Sequence, residues 1–263
     1  MPLTVPTHPL ALVPLKLWRP RWFDGVALTL GAVAPDVPFA LDGYRLPVRG
    51  HAWTAPLWWA VPFVLVVAPL VRWAAAPVAA HLPAGGPLAL RDYGVLGSVR
   101  HRWWVTATSA VLGAASHIAW DAVTHPYIDV GRIEVAALHA TAPTGDSWWH
   151  LLSSASDSIG FGVAAALALH CGQARLVRRW HGPPPVTPRR PVLFWTVTGT
   201  VLAAGVATLP LHRVDSFPSQ AVRTLLATGA ALFAGAAAVR VAQNRSRDRE
   251  PGLRRDAVGA EPT

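Results

Sequence analysis

Long apolar segments are the feature of this sequence that most limits what the chain can fold into. Five of them have about the 20 residues that a helix needs to cross a bilayer, and they contain few charged residues. Lipid offers no hydrogen-bond partners, so a crossing segment must be a helix or a barrel strand, and we find no alternating strand pattern. We therefore predict an all-α, polytopic membrane helical bundle. The predicted spans are residues 54–73, 103–121, 157–174, 191–210 and 221–241.

A sixth apolar stretch, residues 26–41, is shorter and carries Asp36 close to two prolines. We predict a re-entrant or partly buried helix here, not a full crossing. The composition supports the membrane class, because only 14% of the 263 residues are charged, against about 25% in a typical soluble domain. We interpret residues 1–242 as one integral-membrane domain and residues 243–263 as a disordered charged tail, which has almost no large apolar residue.

The net charge of +9 is carried mostly by arginines next to the apolar segments. Membrane proteins place cations at such positions, whereas a nucleic-acid-binding protein is expected to have a recognisable motif with interleaved aromatics. We therefore expect membrane lipids, and not nucleic acid, as partners. The Lys and Arg bias places the loops 72–102 and 175–190 and the tail in the cytoplasm. Five cations before the first span favour the opposite orientation: Lys16, Arg19, Arg21, Arg45 and Arg49.

The stretch GAASHIAWDAVTHP, residues 113–126, ends the second predicted span with three residues that can bind metals or protons. His117 and Asp121 are four residues apart, so they lie on one helix face, separated by about 6 Å along the axis. Pro126 disfavours helix at His125, so we predict that the helix ends there. Ionisable residues within a span usually face the protein interior and have a function.

Three further candidate ligands come from the first fifty or so residues, in His8-Pro9, Pro35-Asp36 and Gly50-His51. In the predicted topology they lie on the same side of the membrane as the end of the second span, which favours convergence. Imidazole and carboxylate ligands suit zinc or manganese, and the single cysteine excludes a multi-cysteine zinc site. We predict one or two divalent ions, with zinc expected and manganese as the alternative. The predicted ligands are His8, Asp36, His51, His117, Asp121 and His125.

These motifs, with SHxxWDxxTHP at residues 116–126, resemble the bacterial membrane family labelled domain of unknown function 4184. The resemblance covers about the first 170 residues. That family is related to inner-membrane proteins described as metal-dependent hydrolases, so the resemblance implies a location in the cell (inner) membrane and a metal site. We accordingly divide the membrane domain into a metal-site half, at about 1–160, and accessory spans, at about 157–242.

The order of the six ligands is also similar to that in zinc-dependent phospholipase C and in the single-strand nucleases of the same fold. Those enzymes begin with a Trp ligand, whereas this chain begins Met1-Pro2. They also end with a second His-x-x-x-acid pair, for which the nearest substitute, Asp146 to His150, has the reverse order. The similarity therefore implies one or two ions, and not a cluster of three.

Three function classes remain open from the sequence. The first is a membrane metal-dependent hydrolase with its site at the extracytoplasmic face, which acts on a phosphoester of a lipid or lipid-linked substrate. In it, Asp36 would orient a metal-bound water or take its proton. The second is a non-catalytic membrane protein with a structural metal or polar cluster. The third is a transporter, which the scarcity of polar residues in the last two spans disfavours.

Overall fold

The computed structural model describes residues 8–44, 46, 48–125, 133–211 and 216–258, without the side chains of Leu10 and 247–258. Most of these residues are helical, and none of them forms a β-strand, which confirms the predicted fold class. The α-helices are α1 (Val13–Trp18), α2 (Gly25–Val33), α3 (Val61–His81), α4 (Trp103–Thr124), α5 (Trp148–Gln173), α6 (Leu176–His181), α7 (Pro191–Ala207) and α8 (Phe217–Val258). Tighter 3-10 helices include His8–Leu12, Ala34–Leu41 and Leu90–Gly97, and a π-helix, Pro56–Ala60, leads into α3.

Four helical segments are long and apolar enough to cross a membrane: Pro56–His81, Trp148–Gln173, Pro191–Leu211 and Phe217–Ser246. They coincide with four of the five predicted spans. The remaining span, 103–121, forms α4, which has 22 residues but is less apolar because it contains Thr, Ser, His and Asp. The sixth stretch forms the shorter apolar helix Gly25–Leu41, which changes from α to 3-10 at Ala34. Helix α8 continues to Val258. It therefore extends beyond Gln243, the residue at which the sequence predicts the disordered tail to begin.

Helix α4 packs closely against α2, because both have a glycine at their crossing. A Cβ on Gly31 would lie 2.4 Å from the Ala110 carbonyl oxygen, and one on Gly113 would lie 2.5 Å from the Leu28 carbonyl oxygen. Small residues allow helix backbones to approach in this way in membranes. The two backbones are therefore in direct contact.

A buried polar network fixes the start of α2. The Asp24 carboxylate caps the helix by accepting from the Ala27 N–H at 3.2 Å, and it also accepts from the Thr106 hydroxyl at 2.7 Å and from Arg72. The Asp24 N–H donates to the Ser109 hydroxyl at 3.1 Å. Because α2 is tied here near the start of α4, its other end lies near the end of α4.

The bundle consequently has two chemically different ends. We call the end with His117 and His125 the histidine end, and the end with Arg100 and Arg179 the arginine end. Residues 8–24 run from the first to the second, so Lys16 lies 5.9 Å from the Trp180 ring centroid and Arg21 lines a cavity with Arg100 and Arg179. The sequence-based topology placed these N-terminal cations with His8, and that placement is wrong because the segment returns along the bundle.

The accessory helices α7 and α8 pack on each other and on α3. Gly235 of α8 faces Thr198 of α7 so closely that an added Cβ would lie 2.2 Å from the Thr198 hydroxyl. At the histidine end, Arg223 of α8 donates to the carbonyl groups of Ala40 and Asp42. Helix α8 therefore holds the segment that immediately follows Asp36.

Candidate metal centre

The structure brings all six predicted ligands together at the histidine end. His8 lies at the start of the first 3-10 helix, Asp36 follows α2, and His51 precedes the π-helix. His117, Asp121 and His125 lie at the end of α4. The prediction that His125 ends the helix is confirmed: it is the C-cap, with extended backbone at φ −134° and ψ 101°.

His117 is the most deeply placed member of the cluster, with no exposed surface. Its Nδ1 lies 2.6 Å from the Ala32 carbonyl oxygen. A carbonyl oxygen only accepts, so Nδ1 carries a proton, and in the neutral imidazole it is Nε2 that offers the lone pair. Metal-binding histidines are commonly oriented in this way by a backbone carbonyl. Pro35, three residues after Ala32, lacks the N–H that a 3-10 turn would direct at this carbonyl.

Four donor atoms lie close together next to His117. Its Nε2 lies 3.3 Å from His51 Nε2, 3.5 Å from Asp36 Oδ1 and 3.3 Å from Asp121 Oδ2. His51 Nε2 lies 3.1 Å from Asp36 Oδ1 and 3.3 Å from Asp121 Oδ2. Two groups have ligand atoms close enough together to hold a metal ion: His8, Asp36 and His117, and His51, His117 and Asp121.

The second oxygen of Asp121 faces a different pair of histidines. Oδ1 lies 3.6 Å from His8 Nε2 and 3.3 Å from His125 Nδ1. The His8 ring also stacks on His117, with centroids 3.8 Å apart, and its Nδ1 is buried without a hydrogen-bond partner in the described part of the chain. Asp121 is therefore placed to bridge two adjacent positions.

The electrostatics favour the forms of His8 and Asp36 that bind metals. Burial, with the nearby His117, lowers the pKa of His8 to about 4, which leaves the imidazole neutral at pH 7. Burial opposes ionisation of Asp36, but His117 and His51 outweigh it and hold the pKa of the carboxyl below its usual range. A neutral imidazole and an ionised carboxylate are the forms that coordinate a divalent ion.

His125 stands slightly apart from the four-donor cluster. Its Nδ1 lies 2.9 Å from the Thr124 hydroxyl, and that hydroxyl donates to the Trp120 carbonyl at 3.0 Å. The hydroxyl proton is thus engaged, which favours a proton on His125 Nδ1. Direct coordination by His125 stays a prediction.

Two histidines outside the cluster form exposed pairs of their own. His139 lies 3.1 Å from Glu134, and His150 lies 3.4 Å from Asp146. Sequence reasoning missed the Ala32 carbonyl, since a backbone acceptor has no residue-type signal. It also missed the role of Trp120, whose indole N–H donates to Ser156 at 2.9 Å and so ties the metal-site helix to α5.

Four apolar helices and a buried His/Asp cluster define a class: an integral, all-helical membrane protein with side chains that can hold a metal ion. The model of a family described as a domain of unknown function (DUF4184) matches residues 1–242. The chain therefore belongs to that family, and the match extends beyond the first 170 residues into the accessory helices. Comparison with curated proteins and with solved structures gave no match.

Proposed function

We propose that this protein is a membrane-embedded metal-dependent hydrolase that acts on a phosphoester of a lipid or lipid-linked substrate. The observation that carries the proposal is the four-donor cluster of His51, His117, Asp36 and Asp121. Zinc binds imidazole nitrogen and carboxylate oxygen at about 2.0–2.2 Å, which in tetrahedral geometry separates the donors by about 3.3–3.6 Å. Five of the six separations in this cluster are given above, and they run from 3.1 to 3.5 Å, near that range. Each of the two groups that could hold one ion contains His117 with either Asp36 or Asp121.

The two oxygens of Asp121 support a second, adjacent ion position. Oδ2 belongs to the first cluster, while Oδ1 faces His8 Nε2 and His125 Nδ1. An ion at this position would take the place of the proton on His125 Nδ1. A carboxylate that bridges two ions is common in two-metal hydrolytic sites, where the ions stabilise the attacking and leaving oxygens. We propose one or two zinc ions, with manganese as the alternative.

In this proposal the chain provides binding, orientation and proton transfer. A bound ion supplies a water of lowered pKa and stabilises negative charge on a phosphoryl oxygen. Asp36 directs Oδ1 at His51 and His117, so we propose that its Oδ2 would accept the proton of an attacking water. Ala32 holds the His117 ring in its tautomer.

A cavity beside His51 can accept the substrate. It measures about 630 Å³ and its described lining runs from Pro35 to Ala52, which is within the usual range of about 300–1,000 Å³ for small-molecule sites. Its wall contains His51 of the metal cluster together with exposed Arg49. A phosphoester bound there would have its phosphorus next to the cluster and a cation beside it.

We also propose that the histidine end faces the outside of the inner membrane. Cytoplasmic ends of membrane proteins carry an excess of Lys and Arg. In the sequence, the cations before the first span favour the opposite orientation. Two of them, Lys16 and Arg21, contact the arginine end, so in the structure they favour a cytoplasmic arginine end.

The second candidate function is a non-catalytic membrane protein with a structural polar cluster. The observation that favours it is that His117 Nε2 lies close to two carboxylates. A proton on Nε2 would let His117 donate to Asp36 or Asp121, whose oxygens lie 3.5 and 3.3 Å away. A closed structural ion would use the same atoms. A catalytic site differs because it keeps a water or an open position.

The test is metal content followed by chelator-sensitive hydrolysis on detergent-purified protein. We expect one or two zinc ions per chain, which His117→Ala and Asp121→Asn remove. The control, His139→Ala, changes an exposed histidine and should retain them. Hydrolysis of a phospholipid or of bis(p-nitrophenyl) phosphate should stop with chelator and return with zinc. Bound metal without any turnover would favour the structural alternative, and wild-type protein without metal would contradict both metal readings.

A further inference from the structure

A second site lies at the arginine end, far along α4 from the histidine cluster. It is a cavity of about 650 Å³ between the segment before α2, the segment before α4 and the end of α6. Its lining includes three arginines and two histidines: Arg21, Arg100, Arg179, His101 and His181. Arg21, Arg100 and Arg179 are exposed, and the histidines are half-buried.

The nearby buried carboxylates already have partners. Asp24 pairs with Arg72, and Asp92 accepts two bonds from Arg175, one of them 2.6 Å long. Within the described ranges, none of the three cavity arginines forms an ion pair with a carboxylate. Because arginine stays charged at any physiological pH, the cavity has three positive charges that no carboxylate of the described residues pairs with.

Burial shifts the titratable groups near the cavity, and at His181 the neighbouring positive charges add to it. Burial lowers the pKa of His181 to about 4, with contributions from the charges of Lys16, His101 and Arg21. Burial likewise lowers the pKa of Lys16 to about 8, although Asp24 opposes the shift. The cavity is thus both partly dehydrated and cationic, which strengthens its attraction for an anion.

Exposed tryptophans surround the same end of the bundle. Trp18 and Trp22 flank the segment that carries Arg21, and both are 68% exposed; Trp103, two residues after His101, is 73% exposed. Tryptophan collects at the level of the lipid headgroups. A site for a soluble anion would not need tryptophans at headgroup level. The position of these three tryptophans therefore favours a ligand that belongs to the membrane.

We infer that this cavity binds the phosphate group of an anionic lipid. The planar guanidinium groups of Arg21, Arg100 and Arg179 match phosphate oxygens in pairs. Basic pockets between membrane helices are suited to lipid headgroups. The site is separate from the proposed hydrolytic centre and does not depend on it.

The test measures the binding of short-chain phosphatidylglycerol to the purified full chain in detergent, with phosphatidylcholine and pyrophosphate as comparison ligands. One variant combines Arg21→Gln, Arg100→Gln and Arg179→Gln. Its matched control combines Arg102→Gln, Arg178→Gln and Arg189→Gln, which removes the same charge from exposed arginines that do not line the cavity.

We expect the first variant to bind phosphatidylglycerol about a hundredfold more weakly and the control to bind nearly as wild type. Each arginine near a lipid phosphate contributes about a fivefold gain in affinity, so Arg179→Gln alone should cost about fivefold. Equal losses in both triple variants would overturn the proposal, because charge alone would then explain binding. Tight binding of pyrophosphate without preference for phosphatidylglycerol over phosphatidylcholine would overturn the lipid assignment.

Discussion

Replacing Gly113 by alanine is a sharp test of how α2 and α4 support the metal centre. The added Cβ would lie 2.5 Å from the Leu28 carbonyl oxygen and 2.7 Å from the Ala32 nitrogen. Both atoms belong to backbone, so they cannot move away as a flexible side chain would. The two helices must separate by about 1 Å, and overpacking of this kind costs about 1–3 kcal/mol.

The same displacement should weaken metal binding. It moves Ala32, whose carbonyl holds His117 Nδ1 at 2.6 Å. Loss of such a supporting hydrogen bond typically reduces metal affinity about 10- to 100-fold. Gly113→Ala should therefore lower both the melting temperature and the zinc affinity.

The matched control is Gly162→Ala in α5. A Cβ at Gly162 would meet nothing within 4 Å, and alanine is favoured over glycine within a helix by up to about 1 kcal/mol. The assays are thermal unfolding in detergent and competition with a zinc chelator. If Gly113→Ala matches wild type in both, the close packing and its link to His117 are wrong.

Two further predictions concern buried charge. Arg72→Met leaves the buried Asp24 carboxylate without its cationic partner, so it should destabilise the protein by about 3–5 kcal/mol. The double variant Arg72→Met with Asp24→Asn should be closer to wild type in stability. A double variant no more stable than the single one would contradict this prediction. His8 has a pKa of about 4 in the folded chain, below its usual 6.5, so in metal-free protein it contributes stability above pH 6.5 that is lost as the pH falls from 6.5 to 4. His8→Phe should flatten that part of the curve of unfolding free energy against pH, and an unchanged slope would count against the buried neutral imidazole.

The sequence predicted the parts of the fold that follow from residue type alone. Apolar length located four crossing helices, and the four-residue spacing placed His117 and Asp121 on one face. Pro126 correctly marked the end of α4. These features depend on local periodicity and backbone restriction, which a single sequence carries directly.

Other features depend on how separate segments pack, and the sequence could not provide them. The return of residues 8–24 along the bundle is fixed by Asp24 binding Arg72 and Thr106, which are distant in the chain. The Ala32 carbonyl has no side-chain signal at all. The convergence of His8, Asp36 and His51 on His117 was predicted from a topology that misplaced Lys16 and Arg21. The proximity of these side chains is therefore observed, although the path of the chain that predicted it was partly wrong.

The central claim is that imidazole nitrogens and carboxylate oxygens from four segments share one or two ions. X-ray absorption at the zinc edge of the zinc-loaded protein tests it most directly. We expect nitrogen and oxygen ligands at about 2.0–2.2 Å with the outer-shell scattering of at least two imidazole rings, lost in the variant His51→Ala with His117→Ala. An ion coordinated only by oxygen, with no imidazole scattering and no change in that variant, would contradict the account.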